Sequence, residues 1–197
     1  MHEDIQPTSS SKERGNAVAQ SRNFYISDTH YFHRNVLNFE KRPWPSVEDM
    51  TEGLIALHNS VVTSKDNVYI LGDFAFTRDG HTVHDLTARL NGKLHLIKGN
   101  HDDFIGRRNF NPGCFEWIKD IHELRDQGHR VILCHYPMAV WNCSHHGSLH
   151  LYGHVHDNAA TNHPLVLGIE NAYNVSACLQ DYTPQTLEQV LARYGRQ

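Results

Sequence analysis

Short apolar runs that stop abruptly at polar residues set the rhythm of this chain. Asn23 to Ser27 is β-rich and stops at Asp28; Asn67 to Leu71 stops at Gly72 and Asp73. Lys93 to Ile97 runs into Gly99-Asn100-His101-Asp102, Arg130 to Cys134 stops at His135, and Ser148 to Tyr152 stops at Gly153-His154-Val155-His156. Runs of this length and composition predict strands. Between them the period changes. Met50, Leu54, Leu57 and Val61 share one helical face, which predicts a helix over 47–60, with Ser46 as N-cap and Asp49 as a weak capping-box partner. Val83, Leu86 and Leu90 repeat the spacing, with Asn91-Gly92 as a stop. Two more strands are expected near 165–169 and 173–178, then a helix from Pro184 to Tyr194 capped by Thr183. Residues 103–117 carry no readable period. Residues 1–21 are polar and irregular and read as a flexible tail, leaving 22–197 as one domain. Alternating strands and helices predict an α/β layered fold.

Composition narrows the classes. At 197 residues the chain can bury a core without disulfides or structural metal. Eighteen basic against 22 acidic residues give a net charge of −4, without the basic footprint of a duplex-DNA binder. Cys114, Cys134, Cys143 and Cys178 form no C-x-x-C pair, which argues against a zinc ribbon or a thioredoxin-like site. No stretch reaches the roughly 20 apolar residues of a membrane span, and no signal-peptide pattern is present, so the cytoplasm is the expected compartment. The anomaly is histidine, with 17 copies.

Where some of those histidines sit matters more than their number. In open α/β sheets ligands bind beyond the carboxyl ends of strands, so five polar clusters at five such ends would converge. The donors are two carboxylates, Asp28 and Asp73, four imidazoles, His30, His135, His154 and His156, and the amide oxygen of Asn100. That set exceeds one tetrahedral zinc and suits two ions sharing a carboxylate, with manganese, iron, zinc or nickel favoured over calcium or magnesium. If the first strand ran one residue further, Asp28 and His30 would face one ion. His154 and His156 could do likewise, or a loop could send them to different ions. His135 is preferred over His122, His129, His145, His146 and His150 because it directly follows an apolar run.

Asp28-x-His30, Gly72-Asp73, Gly99-Asn100-His101-Asp102, His135 and Gly153-His154-x-His156, in this order, resemble the five-block signature of the calcineurin-like metallophosphoesterase superfamily. Ser27-Asp28-Thr29-His30, Ile70 to Phe74 and His135-Tyr136-Pro137 also resemble its small bacterial and phage members. The resemblance implies a four-layer αββα sandwich of two mixed β-sheets flanked by helices. It implies two divalent ions per chain, manganese first, with iron, zinc or nickel as alternatives. Asp28, His30 and His156 would hold one ion, Asn100, His135 and His154 the other, and Asp73 would bridge. His101 would lie over the phosphate and protonate the leaving oxygen.

The expected function is hydrolysis of a phosphodiester of a small molecule or nucleotide by metal-activated hydroxide, without nucleic-acid or membrane partners. The alternatives are a phosphomonoesterase, a nuclease and a non-catalytic scaffold. Asn100, His101, His33, Arg78, Trp141, His145 and His146 are candidate substrate contacts. Phosphoprotein phosphatases of the superfamily place a phosphate-clamping arginine four residues after the bridging aspartate; here that position is Thr77, and Arg78 follows it. Asp102 reads as structural, and Phe74 and Phe76 read as core packing.

Overall fold

The protein's computed structural model describes residues 21–157 and 168–195. The expected tail lies outside the described residues apart from Ser21. So does the strand expected near 165–169, apart from Gly168 and Ile169, which are in no strand.

Strands β1 (Asn23–Ile26), β2 (Asn67–Ile70), β3 (Lys93–Ile97) and β4 (Trp117–Lys119) run parallel side by side. A second sheet contains β5 (Ile121–Asp126), β6 (His129–Cys134), β7 (Leu149–Tyr152) and β8 (Ala172–Asn174), antiparallel only between its first two strands. The short strand β9 (Gln185–Thr186) closes the free edge of β1 antiparallel, so both sheets are mixed. The helices are α1 (Val36–Phe39), α2 (Val47–Val61), α3 (Gly80–Thr87) and α4 (Leu187–Arg193).

The continuous apolar runs have a simple cause: the first sheet is buried on both faces. Phe24, Ile26, Val68, Ile70, Leu94 and Leu96 pack with Met50, Leu54, Val83 and Leu86 of the helices. Tyr25, Tyr69, Leu71 and Ile97 meet Val131, Leu133, Leu149, Leu151 and Tyr173 of the second sheet, with Leu187 and Val190 of α4. This is the expected α/β sandwich. Over the outer face of the second sheet lies Trp141, its ring 5.2 Å from that of His150.

Several boundaries differ from expectation. The strand expected near 173–178 is β8, which spans only Ala172–Asn174 before a 3-10 turn at Ala177–Leu179. α4 is capped by Thr186, not Thr183, because residues 185–186 first pair with β1; Gln189 completes a reciprocal capping box. α3 begins at Gly80 behind the Asp79 cap and ends at Thr87, short of Leu90. β4 and β5 fall at or beyond the end of the unreadable stretch 103–117, where no strand was expected. β5 is half-exposed and joins β6 through Gln127-Gly128, both at positive φ (47° and 85°), a tight hairpin turn. Ser46 does cap α2, accepting from the Asp49 amide at 3.0 Å.

One seam positions the site. Beyond their last residues β1 and β8 meet: the Ser27 amide donates to the Val175 carbonyl at 2.9 Å, and the Ala177 amide to the Ser27 carbonyl at 2.9 Å. The carboxyl ends of both sheets therefore open on the same edge.

Candidate metal centre

The donors cluster at that edge, though not by strand alternation. Asp28 (φ 56°) and His30 (φ 50°) lie past β1 in left-handed backbone, as do Asp73 (51°), His154 (71°) and His156 (45°). Such conformations are uncommon for non-glycine residues and cost on the order of 1–3 kcal/mol each, so they persist where surrounding structure over-determines them. Here amide hydrogen bonds do so: Asp28 N to Gly72 O at 3.0 Å, and His30 N to Asp73 O at 3.0 Å. Glycine is required where the loops nearly touch. A Cβ on Gly99 would lie 2.3 Å from Asp73 Oδ1, and one on Gly153 2.4 Å from Asp28 Oδ2.

Among the described residues two donor groups share Asp73. Ligand atoms of Asp28, His30, Asp73 and His156 lie within 4.8 Å of one another, and so do those of Asp73, His135 and His154. His30 Nε2 is 3.6 Å from Asp73 Oδ2, His135 Nε2 is 3.5 Å from Asp73 Oδ1, and His156 Nε2 is 3.6 Å from Asp28 Oδ1. Asn100 Oδ1 joins the second group, 3.1 Å from His135 Nε2. Nδ1 of His135 is 2.8 Å from the Leu71 carbonyl, which accepts its proton and leaves Nε2 with a free lone pair toward Asp73.

The electrostatics fit a cation. Both ring nitrogens of His30 are buried without a hydrogen-bond partner. Burial, aided by His156 and Arg42, pushes its pKa well below the ordinary value, which keeps the lone pair available. Burial lowers His154 as well. Burial raises the Asp73 carboxyl against the pull of His135. Burial also pulls His156 down, but Cys178, Glu40 and Asp28 outweigh it and lift that imidazole to about 10. A divalent ion held by His156 would compete with that proton.

A supporting shell surrounds these donors, and the residue pattern did not reveal it. Asp28 Oδ2 accepts from Ser27 Oγ (2.6 Å) and Ser176 Oγ (2.7 Å), while the His154 amide donates to both carboxylate oxygens at 3.1 and 3.0 Å. Asp102 accepts from the amides of Asp73, Phe74 and Gly99 at 3.1, 2.8 and 2.8 Å, so it ties two donor loops together. Glu40 contacts His156 Nδ1 and is held by Arg42 Nε at 2.7 Å. Arg42 is buried and also donates to the Asp28 and Thr29 carbonyls at 2.9 and 2.6 Å. This chain orients His156 so that Nε2 faces Asp28. Glu40→Gln is therefore expected to weaken divalent-ion binding by about 10–100-fold, read by competition with a chelating dye. Wild-type affinity in that variant would show that Glu40 only fills space.

The remaining candidates divide. His101 lies beside the first group, its ring 5.5 Å from His30, and its amide donates to Asp73 Oδ1 at 2.8 Å. His33 is buried beside it, ring to ring 6.3 Å. Arg78 pairs with Asp103 at 3.1 Å on the rim. Trp141 is buried, its indole nitrogen donating to Ser148 Oγ at 3.0 Å, and the rings of His145 and His146 lie 4.1 Å apart at a 46° tilt in an exposed turn; these three make their contacts away from the donor groups. Phe74 is core, but Phe76 is not: it is 47% exposed and lies against His33.

No protein-family model matches the sequence. The chain is 30% identical over 169 residues to an uncharacterised protein of Methanocaldococcus jannaschii, covering 85% of this chain and 88% of that protein. A protein of unknown function from Aquifex aeolicus has the same fold, with a TM-score of 0.67 at 23% identity over 87% of this chain and 98% of that one. A phosphoesterase from Escherichia coli aligns at 15% identity with a TM-score of 0.37, covering 79% of this chain and 78% of that one. Among the described residues no helix is long and apolar enough to cross a membrane.

Proposed function

We propose that this chain, whose five ordered blocks resemble those of the calcineurin-like metallophosphoesterase superfamily, is a binuclear metal-dependent phosphoesterase acting on a phosphodiester of a small molecule or nucleotide. The observation that carries this is Asp73, one carboxylate shared by two donor groups. Asp28, His30 and His156 would hold one divalent ion, Asn100, His135 and His154 the other, and Asp73 both; manganese fits first, with iron, zinc or nickel as alternatives. Bound there, the ions supply Lewis acidity toward the phosphoryl oxygens and hydroxide near neutral pH.

The protein's own groups do the rest. The oxygen of water forms a bond to phosphorus as its O–H bond breaks and the proton passes to solvent, and the phosphorus–oxygen bond of the ester breaks. Its electron pair leaves with the alkoxide, which takes a proton from His101. His101 stands beside both donor groups without belonging to either. A diester carries less negative charge than a monoester. It suits a rim whose arginine, Arg78, is already engaged by Asp103.

The test is to strip the protein, reload it with manganese, nickel, zinc or magnesium, and assay bis(p-nitrophenyl) phosphate and p-nitrophenyl phosphate. Metal-dependent hydrolysis of the diester is expected. Hydrolysis of the monoester alone would make the protein a phosphomonoesterase. Two bound ions with no hydrolysis across a broad panel of both classes would overturn the enzyme reading.

A further inference from the structure

An aromatic surface stands in water beside His101. Phe76 is 47% exposed and Phe39 58% exposed, although both flank the buried His33. The Phe76 ring lies parallel to His33 at 4.1 Å, with 15° between the planes, so one of its faces is fixed. Phe39 meets the same imidazole edge-on at 5.7 Å. The backbone beneath is tied down, since the Phe76 amide donates to the Tyr31 carbonyl at 2.9 Å. The ring is 5.7 Å from His101 and lines a concavity of about 330 Å³ with Thr77, Arg78, His101 and Asp103.

Resting on the phosphoesterase reading, we propose that Phe76 is a stacking platform for the leaving group, and that the preferred substrates are phosphate esters of nucleosides. If His101 protonates the leaving oxygen, whatever that oxygen carries extends past His101, and Phe76 lies within one ring's reach. A flat base can lie on an aromatic face whatever its hydrogen-bonding pattern, which suits a platform built of rings rather than amides. The Arg78–Asp103 pair closes the same rim. The concavity suits one nucleoside, and the chain's charge of −4 gives no track for a strand.

The experiment compares the methyl phosphodiester of adenosine, esterified at its 5′-oxygen, with the same diester of ribose. In both the leaving oxygen is the ribose 5′-oxygen, and the departing groups differ only in the base. With metal-loaded wild type, kcat/KM for the nucleoside ester is expected to exceed that for the ribose ester by on the order of tenfold. Phe76→Leu, which keeps an apolar side chain against His33, is expected to bring the ratio to near one. Phe76→Tyr is expected to keep it. If the wild type hydrolyses both esters with a ratio near one, or if Phe76→Leu keeps the preference, the platform is wrong and the phosphoesterase reading stands. If neither ester nor any simple diester is hydrolysed, that reading itself fails.

Discussion

His101→Ala is expected to lower kcat on an alkyl phosphodiester by about 10²–10⁴-fold while the bound metal stays in place. His101 is in neither donor group, and its contact to Asp73 Oδ1 comes from the backbone amide, which alanine keeps. A second signature separates proton donation from general electrostatics. An alkoxide needs a proton to leave, and p-nitrophenolate does not. The loss should therefore be small on bis(p-nitrophenyl) phosphate and large on the alkyl ester. Equal losses on both would mean that His101 stabilises charge without transferring a proton. Loss of metal from the variant would mean that it is a ligand after all.

Asp73→Asn is expected to separate binding from folding. Burial already raises the Asp73 carboxyl, so its charge is a liability to the metal-free fold. The amide oxygen can still accept from the His101 amide. Metal-free Asp73→Asn should consequently unfold at the wild-type temperature or above it. Adding manganese at 100 times Kd stabilises a site of this kind by about 2.7 kcal/mol, or about 5–10 °C in a chain of this length. That increment should appear in wild type and vanish in Asp73→Asn, together with activity. Calorimetric scans of both proteins with and without manganese would measure it. An undiminished metal increment in the variant would remove Asp73 from the bridging position, and with it the observation on which the binuclear proposal stands.

Where the donors could gather is legible in the chain's apolar pattern. In a parallel sheet buried on both faces, each strand must read as an unbroken apolar run. The first polar residue after it marks the carboxyl edge. Asp28, Asp73, Asn100, His101, His135 and His154 were legible for that reason, and their chemical types pointed to a candidate metal centre. Tertiary structure alone decided the rest. Asp28 and His30 are aimed by left-handed backbone held in place by neighbouring loops, not by strand alternation. Glu40 and Arg42 lie in a segment with no period, and their roles exist only because the chain brings His156 against them from its other end. β5 is half-exposed and too polar to stand out as a run, while Phe76 is apolar yet faces water. Periodicity reports which faces are buried within one element. It is silent about which elements meet across the edge of a sandwich, and there the supporting shell and the aromatic rim of this site are made.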